Sequence, residues 1–350
     1  MSINIVITSD NNTIDGSIAL INSIVFNCPE INLLQFHCIC IDENFLKNQF
    51  QIKVIDKNIK IKFYEINKES KIYKKIDDLL SKNKSSLYTK NIFNYVRFYF
   101  DEILNDVNKI IYLDTDMIVR HNIIELDSLV SDFYDIACVY TIFPYSLDTN
   151  KYIFESKFYK YDNLWNAGMY ITFLDKWRKY NYKDQILELI KLNFDRKFYS
   201  GDTQSPLNII FQDKNIYKLP IEWNLTGLGE GKEFKFNQTY NYFIKNSKIL
   251  HWTGQEKPWL NSINKNDRFK FEWLFYYNLK DNNYHNNLYN NVVKVNKRYI
   301  KHIIERNNNF KKGKYLELDR EIFPLIKNAK KENNKEDNKE DNKEDNKEDN

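Results

Sequence analysis

The sequence predicts an α/β fold with a mainly parallel central sheet and helices on both of its faces. Two patterns carry that reading. Apolar, β-branched runs of strand length recur at Ile3–Ile7, Leu33–Ile41, Ile59–Ile66, Lys109–Leu113 and Asp135–Tyr140, and helix-length segments separate several of them. Parallel strands need long crossovers, usually helical, and the helices cover the sheet.

The first run, Ile3–Ile7, passes directly into the polar turn Thr8-Ser-Asp-Asn-Asn12. Ser17–Phe26 then carries apolar residues at helical spacing, the mark of a helix with one face on a core. The second and third runs follow, and Ile92–Leu104 is an aromatic-rich helix candidate. Lys109–Leu113 ends on Asp114-Thr-Asp116. Downstream, Met169–Phe173 and Lys248–Trp252 read as strands and Asp184–Leu192 as a helix.

At 350 residues and 42.4 kDa the chain is long enough for one large α/β domain or two ordinary ones. With 42% hydrophobic and 29% charged residues, 8 Gly and 6 Pro, collagen-like and wholly disordered chains are excluded. The net charge of +4 is split. Asn334–Asn350 repeats Asn-Lys-Glu-Asp, with 4 Lys against 8 acids, so the remainder carries +8. A body that basic favours anionic partners: nucleotides, phosphoglycans, nucleic acid or an anionic membrane.

No basic, apolar leader opens the sequence and no long apolar run follows, so a cytoplasmic protein is expected. Cys28, Cys38, Cys40 and Cys138 show no CxxC spacing and read as buried thiols.

Composition changes beyond Trp259. Trp273–Tyr277 is aromatic, and Lys294–Lys314 holds eight Lys/Arg against Glu305. Such an arm suits the surface of anionic lipid, at roughly 1 kcal/mol per basic residue; an ordinary solvated helix face has the same composition. The Asn-Lys-Glu-Asp repeat lacks apolar residues and cannot offset the entropy of ordering. The expected division is therefore residues 1–260 as the α/β domain, 261–330 as a basic helical arm on the inner face of the cell membrane, and 331–350 as a disordered tail. Residues 143–163 suit either a loop over the ligand or aromatic packing.

In open α/β sheets, ligands bind beyond the carboxyl ends of the strands. Asp114 and Asp116 leave Leu113 at such an end, and two hard oxygen ligands there suit Mg²⁺ or Mn²⁺ held together with substrate phosphates. The second constellation is His251-Trp-Thr-Gly-Gln-Glu-Lys-Pro-Trp259, also after an apolar run. An imidazole completes a metal shell, Gly254 lets backbone approach a diphosphate, and Lys257 offers it a charge.

The order of strand-DxD, Asn166-Ala-Gly168, Gln204-Ser-Pro-Leu-Asn208 and the HxxGxxKPW run resembles the family 8 retaining glycosyltransferases, from Ile3 to about Trp259. The resemblance is to the family's lipopolysaccharide and lipooligosaccharide galactosyl- and glucosyltransferases. It implies a GT-A fold, a UDP-hexose donor, Mn²⁺, and a glycan or lipid-linked glycan acceptor. Carried over by residue, Asp114, Asp116 and His251 match the metal ligands. Thr8, Asp10 and Asn12 match the uridine segment, and Arg97 the arginine near the donor. Thr115 lies within the DxD. Gly254 and Lys257 match the diphosphate contacts, while Asn166 and Gln204 match positions facing the transferred sugar.

One segment departs from the pattern. The family usually reads Asp-Gln-Asp before Leu-Asn, whereas this chain has Thr203-Gln204-Ser205 with Asp202 one place earlier. The amide of Gln204 is a weak nucleophile, so front-face attack by the acceptor hydroxyl is favoured, with metal, His251 and Lys257 stabilising the departing diphosphate; Asp202 is the rival nucleophile. A sugar-binding protein without catalysis, or a transferase with a protein or glycogen-like acceptor, stays open. A nucleic-acid binder would explain the basic arm but not the ordered motifs.

Overall fold

A computed structural model describes residues 2–56, 58–82, 91–140, 164–194, 198–199, 203–229, 246–260 and 269–280. Strands β1 (Ile3–Ser9), β2 (Leu34–Cys40), β3 (Lys60–Glu65), β4 (Lys109–Leu113), β6 (Ile136–Tyr140), β7 (Trp165–Phe173) and β8 (Ile216–Lys218) form one sheet. Its order is β3-β2-β1-β4-β7-β6-β8, and β5 (Met117–Val119) pairs with β9 (Ile249–His251) in a separate ribbon.

The expected parallel character holds across β3, β2, β1 and β4 and again between β6 and β8. β7 is the exception, antiparallel to both neighbours. It also begins earlier than its apolar run suggests, so that Asn166, Ala167 and Gly168 lie inside the strand. A strand buried on both faces reads as a continuous apolar run whichever way it points.

Alternation along the strands fills two cores. Ile3, Ile5 and Ile7 of β1 join Ile111 and Leu113 of β4 on one face, under α1 (Ile14–Asn27) and α2 (Glu43–Lys53). Val6, Ile110 and Tyr112 point the other way, against α3 (Lys71–Lys82), α7 (Leu174–Tyr180), α8 (Tyr182–Leu192) and α9 (Gln204–Phe211). Local chemistry sets helix ends: Asp42 caps α2 by accepting from Phe45 N at 2.9 Å, and Asn181, with φ of 53°, ends α7 in the left-handed conformation that asparagine tolerates.

The helix expected over Ile92–Leu104 is broken into α4 (Ile92–Val96), a 3₁₀ turn Arg97–Tyr99 and α5 (Phe100–Ile103). At the break, Arg97 donates from Nε to Asn94 O within its own turn, which sends the rest of its guanidinium inward.

The aromatic run at Trp273–Tyr277 is not the start of a membrane arm. It lies in α10 (Lys270–Tyr277), packed along α1 in a compact unit spanning Met1–Lys280. Asn22 Nδ2 donates to Tyr276 O at 2.9 Å, Asn27 Nδ2 donates to Tyr276 Oη at 3.0 Å, and Phe26 meets Phe275 edge-on. Glu272, fully buried, accepts from Arg120 Nε at 2.8 Å. The body therefore runs past the boundary placed at residue 260, since aromatic composition alone does not separate a core helix from a lipid-facing one. The remainder of the arm, with Lys294–Lys314, lies outside the described residues, as do the repeat tail and residues 143–163.

All four cysteines are buried free thiols, and burial pushes Cys28 up to about 11 and Cys40 up to about 12. Among the described residues no helix is long and apolar enough to cross a membrane.

Candidate active site

β1 and β4 are parallel neighbours, so the chain leaving each emerges at the same edge of the sheet. Thr8, Asp10 and Asn12 come off β1. Asp114, Thr115 and Asp116 come off β4 and lead into β5, where Met117 stands opposite His251 of β9. That pairing, with Trp252 N donating to Asp116 O at 2.9 Å, carries the second motif onto the first.

Asp114, Asp116 and His251 each present a ligand atom, and these atoms all lie within 4.8 Å of one another. Asp114 Oδ1 accepts from Arg97 Nη2 at 3.0 Å and from Tyr112 Oη. Arg97 also donates to Ala167 O at 2.9 Å. Burial opposes the guanidinium charge, but Tyr112 and Asp114 outweigh it and hold Arg97 firmly protonated. Burial also raises the Tyr112 phenol well above its ordinary value, which keeps it a donor.

Asp116 Oδ2 accepts from Lys257 Nζ at 2.6 Å. Burial raises this carboxyl, yet the neighbouring Lys257 ammonium prevails and holds it well below the usual carboxylate range. Its other oxygen is instructive: Oδ1 lies 3.1 Å from His251 Nε2 but has no hydrogen bond among the described residues. A buried orphan oxygen facing a ring nitrogen is what a shared cation would satisfy.

Gly168 adds a second sign. A Cβ there would stand 2.4 Å from His251 Cε1 and 2.6 Å from Asp114 Oδ2, so only glycine leaves the space between them open. Two carboxylates and an imidazole suit Mn²⁺, and the residues present fit the ion.

The remaining expected residues divide. Gln204 Oε1 accepts from Asn166 Nδ2 at 3.2 Å and from Ala167 N at 3.3 Å, which joins both sugar-facing candidates to the reversed strand. Asn208, one helical turn later, clamps Trp165 N and O from α9. Thr8 Oγ1 reaches Tyr112 Oη at 3.4 Å. Asp10 Oδ1 accepts from Asn12 N and Thr13 Oγ1 in its own turn and Oδ2 from Asn91 Nδ2 at 3.4 Å, and the Asn12 residue is exposed. Thr115 is buried, its carbonyl 2.5 Å from where a Gly16 Cβ would be. Gly254 N donates to Leu228 O, and Gly229, at φ +77°, lets Glu256 approach so that the loop reaches Lys257. Asp202 lies outside the described residues.

Sequence reasoning missed Asn224 and Tyr112. Asn224 Oδ1 lies 3.0 Å from His251 Nδ1, and its Nδ2 donates to Asn166 Oδ1 at 3.0 Å. Nothing local marks Asn224, whereas the aromatic two places before Asp114 was a signal available in the strand. A cavity of about 380 Å³ lies elsewhere, between α3 and α8, lined by Lys75, Tyr99 and Lys183 among others. Within it Lys75 and Lys183 pair with Glu102 and Lys82 with Asp78.

Residues 4–263 match the family model described as Glycosyl transferase family 8. The chain is 29% identical over 222 residues to the "Probable galacturonosyltransferase 9" of Arabidopsis thaliana, covering 61% of this chain and 37% of that protein. It is 28% identical over 191 residues to a "Glycosyltransferase 8 domain-containing protein 1" of Xenopus tropicalis, covering 47% of this chain and 50% of that one. It therefore spans half or less of the length of these two relatives. Among solved structures, the galactosyltransferase LgtC in complex with donor and acceptor sugar analogs superposes with a TM-score of 0.62 at 17% identity, over 81% of this chain and 99% of that one. That likeness identifies the fold as GT-A.

Proposed function

The chain belongs to glycosyltransferase family 8, and we propose that it transfers a hexose, galactose or glucose, from a UDP-sugar to a hydroxyl of a lipopolysaccharide-type glycan, with retention and with Mn²⁺. One observation carries the reading. Asp114, Asp116 and His251 converge at the edge where β1 and β4 end, with Lys257 on Asp116.

Asp114, Asp116 and His251 hold the ion, which when bound neutralises diphosphate charge. Arg97 and Tyr112 fix the Asp114 carboxylate, so little reorganisation is needed when the donor arrives. Lys257 brings a positive charge to the side on which the diphosphate leaves. In the transfer, the C1–O bond to the diphosphate breaks and a C1–O bond to the acceptor oxygen forms on the same face. The hydroxyl proton passes to a departing diphosphate oxygen. Asn166 of β7 and Gln204 at the start of α9 orient the sugar, and Thr8, Asp10 and Asn12 line the nucleotide side. We also propose that the basic residues of Lys294–Lys314 hold the protein on anionic lipid where such acceptors are assembled.

The test is nucleotide release from UDP-galactose, UDP-glucose and UDP-galacturonic acid, with and without Mn²⁺, beside Asp116→Ala. Release from one hexose donor, lost without metal and in the variant, supports the reading. Release from the uronic acid alone moves the donor towards that in the plant relative's name, and no nucleotide binding at all overturns it. Deleting residues 294–350 should free the protein from anionic vesicles while donor hydrolysis persists.

A further inference from the structure

A side-chain amide presents its oxygen and nitrogen in nearly the same shape, so a network assigns them only where it ends on a group of fixed role. Here it ends on two backbone donors. Gly168 N donates to Asn166 Oδ1 at 3.0 Å, and Ala167 N donates to Gln204 Oε1 at 3.3 Å. The atom of Asn224 that faces Asn166 Oδ1 must then be its nitrogen, at 3.0 Å. What remains for the imidazole of His251 is the Asn224 oxygen, 3.0 Å from Nδ1. An amide oxygen only accepts, so the ring proton stands on Nδ1.

We propose that Asn224 is a positioning residue that holds His251 with its proton on Nδ1 and its Nε2 lone pair turned to the cation shared with Asp116. The proposal rests on the metal reading made under the proposed function. Its support is geometric. Nε2 lies 3.1 Å from an Asp116 oxygen that has no hydrogen bond among the described residues, so two acceptors stand side by side at the spacing of neighbouring ligands on one cation. Asn224, Asn166 and His251 are 2%, 6% and 2% exposed, which keeps water from substituting for any member. The two backbones are laced together, Leu225 N donating to Ile249 O at 3.1 Å and His251 N to Leu225 O at 3.0 Å, so ring and amide keep their register. The relay also joins the metal side of the site to Gln204, beside the sugar, through Asn166.

The experiment reads the tautomer directly, by two-bond ¹H–¹⁵N correlation on ¹⁵N-histidine protein without metal, with His251 assigned by its absence in His251→Gln. Mn²⁺ affinity is measured in parallel by electron paramagnetic resonance. Wild type should give the Nδ1–H pattern. Asn224→Leu should lose it and bind Mn²⁺ about 10- to 100-fold more weakly, the usual effect of losing a ligand's hydrogen-bond partner. Asn224→Asp, which keeps an acceptor for Nδ1 but no donor for Asn166, should restore both; a merely structural role would make it as harmful as leucine. An Nε2–H imidazole in wild type, or unaltered affinity and tautomer in Asn224→Leu, overturns the proposal. Should the leucine variant not fold, the wild-type spectrum decides. An Nδ1–H ring in a protein that binds no Mn²⁺ upholds the relay and overturns the metal reading instead.

Discussion

Lys257 donates from Nζ to Asp116 Oδ2 and to the carbonyl of Trp252, each at 2.6 Å. One ammonium thus ties the HxxGxxKPW loop to the DxD. Lys257→Met removes the charge but keeps most of the stem, and leaves a buried carboxylate without that partner. The expected cost is about 3 kcal/mol at pH 7. The native Asp116 carboxyl is depressed below its ordinary 3.8, so its stabilisation is present above that value and is lost as pH falls through the lower native value. The gap between wild type and variant should therefore be widest near neutrality and shrink below about pH 4, read by urea melts at pH 7 and pH 3.

Gly168→Ala should separate metal binding from folding. A strand accepts alanine, but the new Cβ would press on His251 Cε1 and Asp114 Oδ2 at 2.4 and 2.6 Å. We expect a stability loss of about 1–3 kcal/mol from overpacking and Mn²⁺ affinity reduced at least about tenfold, followed by thermal melts and by metal titration.

His37 gives the fold a pH dependence away from the site. It is buried in β2, with Nδ1 2.9 Å from Tyr64 Oη and Nε2 3.1 Å from Asn4 Oδ1, and burial, aided by Lys62, lowers it to about 4. Between 6.5 and 4 the unfolded chain takes up a proton that the native chain refuses, so stability falls with pH across that window and levels off below it. The loss should be on the order of 3 kcal/mol. In His37→Gln the decline should flatten, as seen in guanidinium melts from pH 7 to pH 4.

Helix α10 should be indispensable to the body. Ending the chain after Leu260 removes Trp273, Phe275 and Tyr276 from the face of α1 and should prevent folding. Glu272→Ala, which removes the buried carboxylate that pairs with Arg120, should cost about 3 kcal/mol in the full chain by urea denaturation.

How far the sequence alone reached follows from what each residue type records. Strand positions were legible because period-two burial leaves a mark in Ile3, Ile5 and Ile7. The ligand cluster was legible because Asp114, Asp116 and His251 each follow an apolar run, and strand ends are where ligands gather. The direction of β7 was not, since burial on both faces erases polarity of direction. Asn224 was not either: its role exists only through a contact with His251, twenty-seven positions away. Trp273–Tyr277 reads equally as part of a lipid anchor and as a solvated helix face; that it is core shows only in its packing against α1. The break at Arg97 was hidden because a turn of 3₁₀ helix keeps nearly the same apolar spacing as the α-helix on either side.

The reversal of β7 has a further consequence. Because β6 runs with β4 and β7 against it, β6 leaves the sheet and β7 enters it at the same edge, with Tyr140 paired to Trp165. Tyr140 and Trp165 are thus held side by side by the sheet at the edge where Asp114 leaves β4. A segment taken from a relative and joined at these two anchors would leave Asp114, Asp116 and His251 where they stand.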